Sequence, residues 1–289
     1  MGRRARLDPL PYLLVLPTVV LIVAFTIAPA LYGLIVSLHR VQFVRLGSFI
    51  GLENYLDVLG QERTLVNLRN SFALAAGSVA LTFVVGLLLA LALNERVIAR
   101  AALRTLVMVP WVTSYVVANL LARWMVDFDL GVVNQNLRAL GLPAIAFLGN
   151  PVSAMLTLIV SNCWLSAPYA MLLLLAGLQG IPRELYEAAA VDGASKPRRF
   201  FTMTLPLMRH AILILLLLLT LRDFSILVSV LVLTGGGPGY LTETMTVRMY
   251  WEAFTNFRMG TASAVATIIF AINMLFSLLY LRLMRAEPA

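Results

Sequence analysis

The chain is short of most of what a soluble enzyme is built from. Of its 289 residues, 12% are charged, about half the usual share, which excludes a water-exposed globule of this size. It has one cysteine, Cys163, set in an apolar run, so neither an internal disulfide nor a cysteine zinc site can form. Its two histidines, His39 and His210, lie far apart in sequence, and no metal site is expected. Its one lysine, Lys196, stands between Ser195 and Pro197. A phosphate-cradling GxxxxGK[ST] loop needs its lysine directly after glycine, so this chain cannot carry one. No nucleophile–base pair or pair of intramembrane carboxylates is visible, and no catalytic residue is expected. The alternating pattern of membrane-barrel strands is also missing.

What is abundant is apolar. Hydrophobic residues make up 61%, against an ordinary share of about 45–50%, and the mean hydropathy is +0.90. This is the composition of an integral membrane protein. Six apolar runs are near the length that crosses a bilayer, at roughly 12–38, 71–93, 103–126, 153–178, 211–233 and 262–284. Backbone groups in lipid must find partners within their own segment, so the runs are expected to be helices. The expectation is an all-α membrane protein with six transmembrane helices in one transmembrane domain, 1–289. The first run follows Arg3, Arg4 and Arg6 and contains Ala28-Pro29-Ala30, features of a signal peptide. Its apolar stretch continues past that point, so it is read as a retained helix.

Net charge is +8, which invites a nucleic-acid reading. Basic residues of membrane proteins gather on the cytoplasmic side, and that explanation is preferred; no nucleic-acid partner is expected. With the amino terminus inside, the inner segments hold Arg3, Arg4, Arg6, Arg96, Arg100, Arg104, Arg183, Lys196, Arg198, Arg199, Arg209, Arg282 and Arg285. The outer segments hold Arg40, Arg45, Arg63, Arg69, Arg138, Arg248 and Arg258. The imbalance puts both termini in the cytoplasm.

The most basic inner connection spans 179–210. Pro182 suits the first turn of a helix, Glu184 and Glu187 sit near its positive end, and Ala188, Ala189 and Ala190 are strong helix formers. Gly193 is placed to close that helix in a left-handed cap. Ser195 can cap a second short helix with Pro197 near its start, and Pro206 should break it before the fifth span. The result is two short helices with a narrow, alanine-rich surface between charged groups. Such a surface can enter a cleft on another protein, or it can be an ordinary solvated connection.

The run Glu187-Ala188-Ala189, then Asp192-Gly193-Ala194, Phe201 and Met203-Thr204-Leu205-Pro206 resembles the EAA motif of the membrane subunits, or permeases, of binding-protein-dependent ABC importers. Met203 stands where isoleucine is commoner. Gly51-Leu52-Glu53-Asn54-Tyr55, Asn94, Arg104, Pro110, Trp124, Gly131 and Asn134 also resemble that family, and Leu233-Thr234-Gly235-Gly236-Gly237-Pro238-Gly239 with Thr242, Tyr250 and Phe254 is similar to its maltose- and glycerol-phosphate-type sugar branch. The resemblance implies the type I ABC importer permease architecture in a bacterial or archaeal cytoplasmic membrane. It implies a second homologous permease subunit, the family expectation being a heterodimer, with two cytoplasmic ATPase subunits and an extracytoplasmic substrate-binding protein. ATP and magnesium would be held by the ATPase partners, with no cofactor bound by this chain. It further implies that Glu187, Ala188, Ala189, Asp192 and Gly193 dock into the ATPase. Arg198 and Arg199 could contact acidic groups there or could be positive-inside anchors.

Polar residues within the spans are candidates for the transport pathway. Asn119, Arg123, Asn162, Tyr169, Arg222, Asp223 and Asn273 offer the hydrogen-bonding and aromatic groups a sugar needs. Tyr115, Asn119 and Arg123 recur at helical spacing, and Asp127 could pair with Arg123. The same residue types also join helices in membranes, and both readings stand at this point. Arg222 and Asp223 within a span also leave room for an independent ion-coupled secondary carrier, against which the EAA resemblance argues. Few basic residues lie in the spans, which favours a neutral sugar over a phosphorylated one.

Overall fold

A computed structural model describes residues 10–42, 45–95 and 99–285. Arg3, Arg4, Arg6 and Arg96, counted above for orientation, lie outside the described residues. The described residues group into two compact units, one of residues up to 60 with 249–268, the other of 61–248 with those from 269 onward.

In the first unit, α1 (Leu10–Ile22) runs through a π turn (Val23–Ile27) into α2 (Ala28–Ser37). Nearly all of its large apolar side chains are exposed, which suits a helix whose surroundings are lipid or another apolar chain. The chain then forms an antiparallel hairpin, β1 (His39–Gln42) with β2 (Arg45–Phe49). This hairpin departs from the all-helical expectation; it falls between apolar runs, where no periodicity announces it. α3 (Glu53–Leu59) is fastened to the hairpin by Asn54, whose amide donates to the carbonyls of Ser37 at 2.8 Å and His39 at 3.0 Å. Arg258 pairs with Asp57 at 2.5 Å. A side chain at Gly260 would meet the His39 carbonyl at 2.7 Å, so only glycine fits there.

The second unit is built on two long helices, α4 (Glu62–Asn94) and α8 (Pro151–Gln179). Asn150 caps α8 by accepting the Val152 N–H at 2.9 Å, and Pro151 begins it where a missing N–H costs nothing. Between them come α5 (Arg100–Val112), α6 (Tyr115–Met125) and α7 (Val132–Ala139). A core of Ala90, Leu93, Ala170, Met171, Leu174, Leu175 and Leu178 gathers where α4 meets α8, joined by Met208, Leu215 and Leu219. Gly86 sets that approach. A Cβ there would lie 2.5 Å from the Ala170 Cβ and 3.2 Å from backbone atoms of Ala170 and Met171, none of which can swing away. Gly86→Val is therefore expected to cost about 1–3 kcal/mol by overpacking, seen as a lower melting temperature in detergent, while Gly33→Ala, with no neighbour within 4 Å, should leave the melt unchanged.

The basic connection follows as α9 (Arg183–Val191), α10 (Lys196–Arg199), a π turn (Phe200–Thr204) and α11 (Leu205–Leu207). Then come α12 (Arg209–Phe224), α13 (Val228–Leu233), α14 (Met245–Phe254) and α15 (Met259–Arg285). Phe72, Phe224 and Phe276 meet edge-to-face, at centroid distances of 5.2 to 6.0 Å.

Among the described residues, four helices are long and apolar enough to cross a membrane: Leu13–Ser37, Glu62–Asn94, Pro151–Gln179 and Met259–Arg285. The other two expected spans are not continuous helices. The run 103–126 bends by 92° between α5 and α6. The Thr113 hydroxyl takes the Val109 carbonyl at 2.8 Å, and Thr113 and Ser114 are extended. The run 211–233 is interrupted at Ser225–Leu227, after α12. Pro206 does not make the break before α12; the chain turns by 67° two residues later, at Met208.

α4 begins well before the apolar run at 71. Its first turns carry Arg63, Asn67 and Asn70, which look like loop residues but are held by the segment before α14. Arg63 grips the Glu243 carboxylate with two bonds, at 3.0 and 2.5 Å, and the Asn67 amide donates to the same group at 3.0 Å. Asn70 donates to the Glu243 carbonyl at 3.0 Å. Arg248, fully buried, donates to Thr64 and to Gln61.

Candidate functional site

Two regions of the second unit carry the candidate residues. The first is the segment from α9 to α10. Pro182 stands extended immediately before α9, one residue earlier than expected. α9 ends in a paired cap: the Gly193 N–H bonds the Ala190 carbonyl at 3.1 Å and the Ala194 N–H bonds the Ala189 carbonyl at 2.9 Å. This is the Schellman arrangement, and it requires the left-handed φ of +76° found at Gly193. Ser195 occupies the cap position of α10 without a side-chain cap bond; its carbonyl accepts the Arg199 N–H instead, at 2.9 Å.

Within the EAA run the side chains divide. Ala189 is buried, whereas Glu187, Ala188, Asp192, Gly193 and Arg198 are exposed. Val191, which the sequence reading passed over, is 89% exposed. A β-branched apolar side chain so open beside Ala188 and Gly193 gives α9 a small greasy knob rather than a solvated face. One further residue missed in the sequence, Tyr186, helps hold the segment together. The Tyr186 hydroxyl bonds the Thr204 hydroxyl at 3.0 Å, and Arg199 donates to the Tyr186 carbonyl at 3.3 Å. Arg199 therefore binds α9 to α10, while Arg198 points no bond inward among those found.

The second region is the set of buried polar groups among the spans. Asn119 is fully buried and donates to the Tyr115 carbonyl at 2.8 Å and to Ser229 at 3.2 Å, while accepting from Ser161 at 3.1 Å. It joins α6, α8 and α13. Asn162 donates to Ser78 at 3.5 Å. Arg222 grips one oxygen of Asp223 at 2.6 Å, and Asn273 donates to Ser225, two residues beyond Asp223, at 2.8 Å. Among the described residues, the buried oxygens here without a hydrogen-bond partner include Thr82 Oγ1, Asn162 Oδ1, Ser166 Oγ, Asp223 Oδ2 and Asn273 Oδ1. Buried polar groups are nearly always satisfied, so such atoms are suited to water or to a passing polar solute. Tyr169 stacks on Trp111 at 6.0 Å with 20° between planes, a pair formed across α5 and α8 that sequence spacing could not reveal. Arg123 does not join this set and does not pair with Asp127. It is exposed and donates to the Val232 carbonyl at 3.3 Å, while Asp127 accepts the N–H groups of Asp129 and Leu130. The short turn after α6 uses the carboxylate first.

A buried polar interior, spans interrupted by breaks, and an exposed capped helix between α8 and α12 describe a multi-pass membrane protein with more than a plain helical bundle's structure. The profile of the family described as "Binding-protein-dependent transport system inner membrane component" matches residues 82–286. The chain belongs to this family. The permease is 36% identical over 284 residues to the trehalose/maltose transport system permease protein MalF of Thermococcus litoralis, covering 96% of this chain and 94% of the relative. It is 35% identical over 268 residues to the sn-glycerol-3-phosphate transport system permease protein UgpA of Rhizobium meliloti, covering 91% and 90%. Its fold matches a chain in the crystal structure of a bacterial ABC transporter that imports the acidic polysaccharide alginate, with a TM-score of 0.85, 25% identity, and 97% and 96% of the two chains covered. Membership of this family sets the permease apart from an independent ion-coupled carrier. It is a multi-pass, mainly helical membrane subunit.

Proposed function

We propose that the permease is one half of the translocation pathway of an ATP-driven sugar importer. In this reading the two bent segments complete six spans, both termini lie in the cytoplasm, and residues 1–289 act as one transmembrane permease domain of the type I importer architecture. The membrane is the cytoplasmic membrane of a bacterium or archaeon. A second homologous permease closes the pathway, two cytoplasmic ATPase subunits bind ATP and magnesium, and an outer binding protein delivers the substrate. The observation that carries the reading is the exposed surface of Glu187, Ala188, Val191, Asp192 and Gly193 on a rigidly capped helix. A surface that small and that firmly held is suited to transmitting the motion of the ATPase it docks with.

The substrate proposed is a neutral sugar. The relative named for trehalose and maltose supports this, although another is named for glycerol phosphate, and Arg222 is already committed to Asp223, which leaves little to attract a phosphate. The partnerless oxygens of Asn162, Asp223 and Asn273 accept hydroxyl donors, and Tyr169 with Trp111 offers an aromatic shelf.

Purification of the tagged chain from its own host in mild detergent, followed by mass spectrometry, tests this. A Walker A-bearing ATPase and a second EAA-bearing permease should accompany it, and sugar uptake after reconstitution should require ATP. Recovery of the chain alone, still transporting without ATP, would sink the reading.

A further inference from the structure

A groove of about 750 Å³ opens beside α9 and α10, bounded by the ends of α4 and α8. Part of its wall is apolar, with Leu91, Leu178, Ile181 and Phe200, and its larger polar part includes Arg183, Lys196 and Arg199 against one carboxylate, Glu95. Among the described residues, none of the three cations is in an ion pair. Arg199 spends one nitrogen on the Tyr186 carbonyl, and its Nε is buried with no partner. Neither Ala188, Val191 nor Gly193 lines the groove, so the coupling segment has two distinct working surfaces.

Cations concentrated where helices leave the membrane, next to an apolar wall, match a ligand that is an anion on a hydrocarbon chain. A soluble anion would use the cations and leave the apolar part of the wall wet. We propose that the groove holds the phosphate headgroup of an anionic phospholipid, with Arg183, Lys196 and Arg199 as its charge partners and the acyl chain on the apolar wall. The lipid thereby braces the inner side of the segment whose outer side meets the ATPase. The inference rests on the permease reading for placing the groove at the cytoplasmic face.

The test uses the full complex in nanodiscs of phosphatidylcholine mixed with phosphatidylglycerol, released into detergent for native mass spectrometry. The native complex should keep bound phosphatidylglycerol. Lys196→Gln, at an exposed position, should bind it about fivefold more weakly, and Arg183→Gln/Lys196→Gln about thirtyfold, following the usual worth of a cation near an anionic surface. Arg282→Gln/Arg285→Gln removes as much charge near the end of α15, outside the groove, and should keep the native amount. Equal losses in the two double variants would overturn the proposal in favour of a general positive field. Displacement of the lipid by inorganic phosphate, with phosphate binding equally well alone, would reassign the groove to a soluble phosphate ester. Loss of ATPase with lipid retained in the groove variants would reassign it to an acidic segment of that partner. An ATPase present in the native preparation without bound lipid defeats this inference alone; lipid present without any ATPase defeats the permease reading alone.

Discussion

Glu243→Ala is expected to lower stability by about 3 kcal/mol, the low end of the cost of breaking a buried charge pair. The Glu243 side chain is 3% exposed and accepts from both Arg63 and Asn67. Its loss leaves the Asn67 amide short of one acceptor and the Arg63 guanidinium without its counter-ion. The figure stays at the low end because the Arg63 side chain is 39% exposed and can recruit water when the carboxylate goes. Arg63→Ala and Glu243→Ala should consequently be far from additive. The double variant should lie within about 1 kcal/mol of Glu243→Ala, since each single change already breaks the same ion pair. Thermal unfolding of the four proteins in one detergent measures this. Full additivity would mean that the pair acts as two independent surface charges and that the first turns of α4 are held by something else.

This knot also shows why part of the fold was hidden from the sequence. Arg63, Asn67 and Asn70 read as the polar end of an outer loop because their partner, Glu243, is more than 170 residues away. Pairing with it extends α4 by nine residues beyond the apolar run, and no local signal encodes that. The two broken spans were hidden for the opposite reason. Their breaks, at Thr113–Ser114 and Ser225–Leu227, fall inside runs whose overall apolar content reads as one span each. Where the signal was local and periodic, it was legible. Gly193 was expected in a left-handed cap and has φ +76°, and α9 and α10 fall where the proline, alanine and glycine positions put them. The intramembrane polar residues occupied middle ground. Their identity was readable, but only packing separates Asn119, whose amide is satisfied by Tyr115, Ser161 and Ser229, from Asn162 and Asp223, which keep an oxygen free.

Gly193→Asp should weaken ATPase retention by about thirtyfold, the effect of an interface hot spot worth about 2 kcal/mol, and ATP-dependent uptake should fall with it. The fold itself should survive. A Cβ at Gly193 meets nothing within 4 Å, and Asp and Asn are the side chains that best tolerate the left-handed region. The damage is therefore confined to the outer surface, where a carboxylate would stand beside Val191 and Ala188 and would have to lose its water on docking without gaining a partner. Gly193→Asn separates bulk from charge. It matches aspartate in shape and backbone preference, and it should sit between the native protein and Gly193→Asp in both ATPase retention and uptake. Three measurements on each variant decide the matter: the melting temperature, the amount of ATPase that co-purifies, and the uptake rate. A native melt with lost ATPase supports docking at this face of α9. If Gly193→Asp instead melts early and its ATPase content falls only in proportion to unfolded protein, glycine is needed here for the cap alone, and the docking surface must be sought elsewhere on the segment.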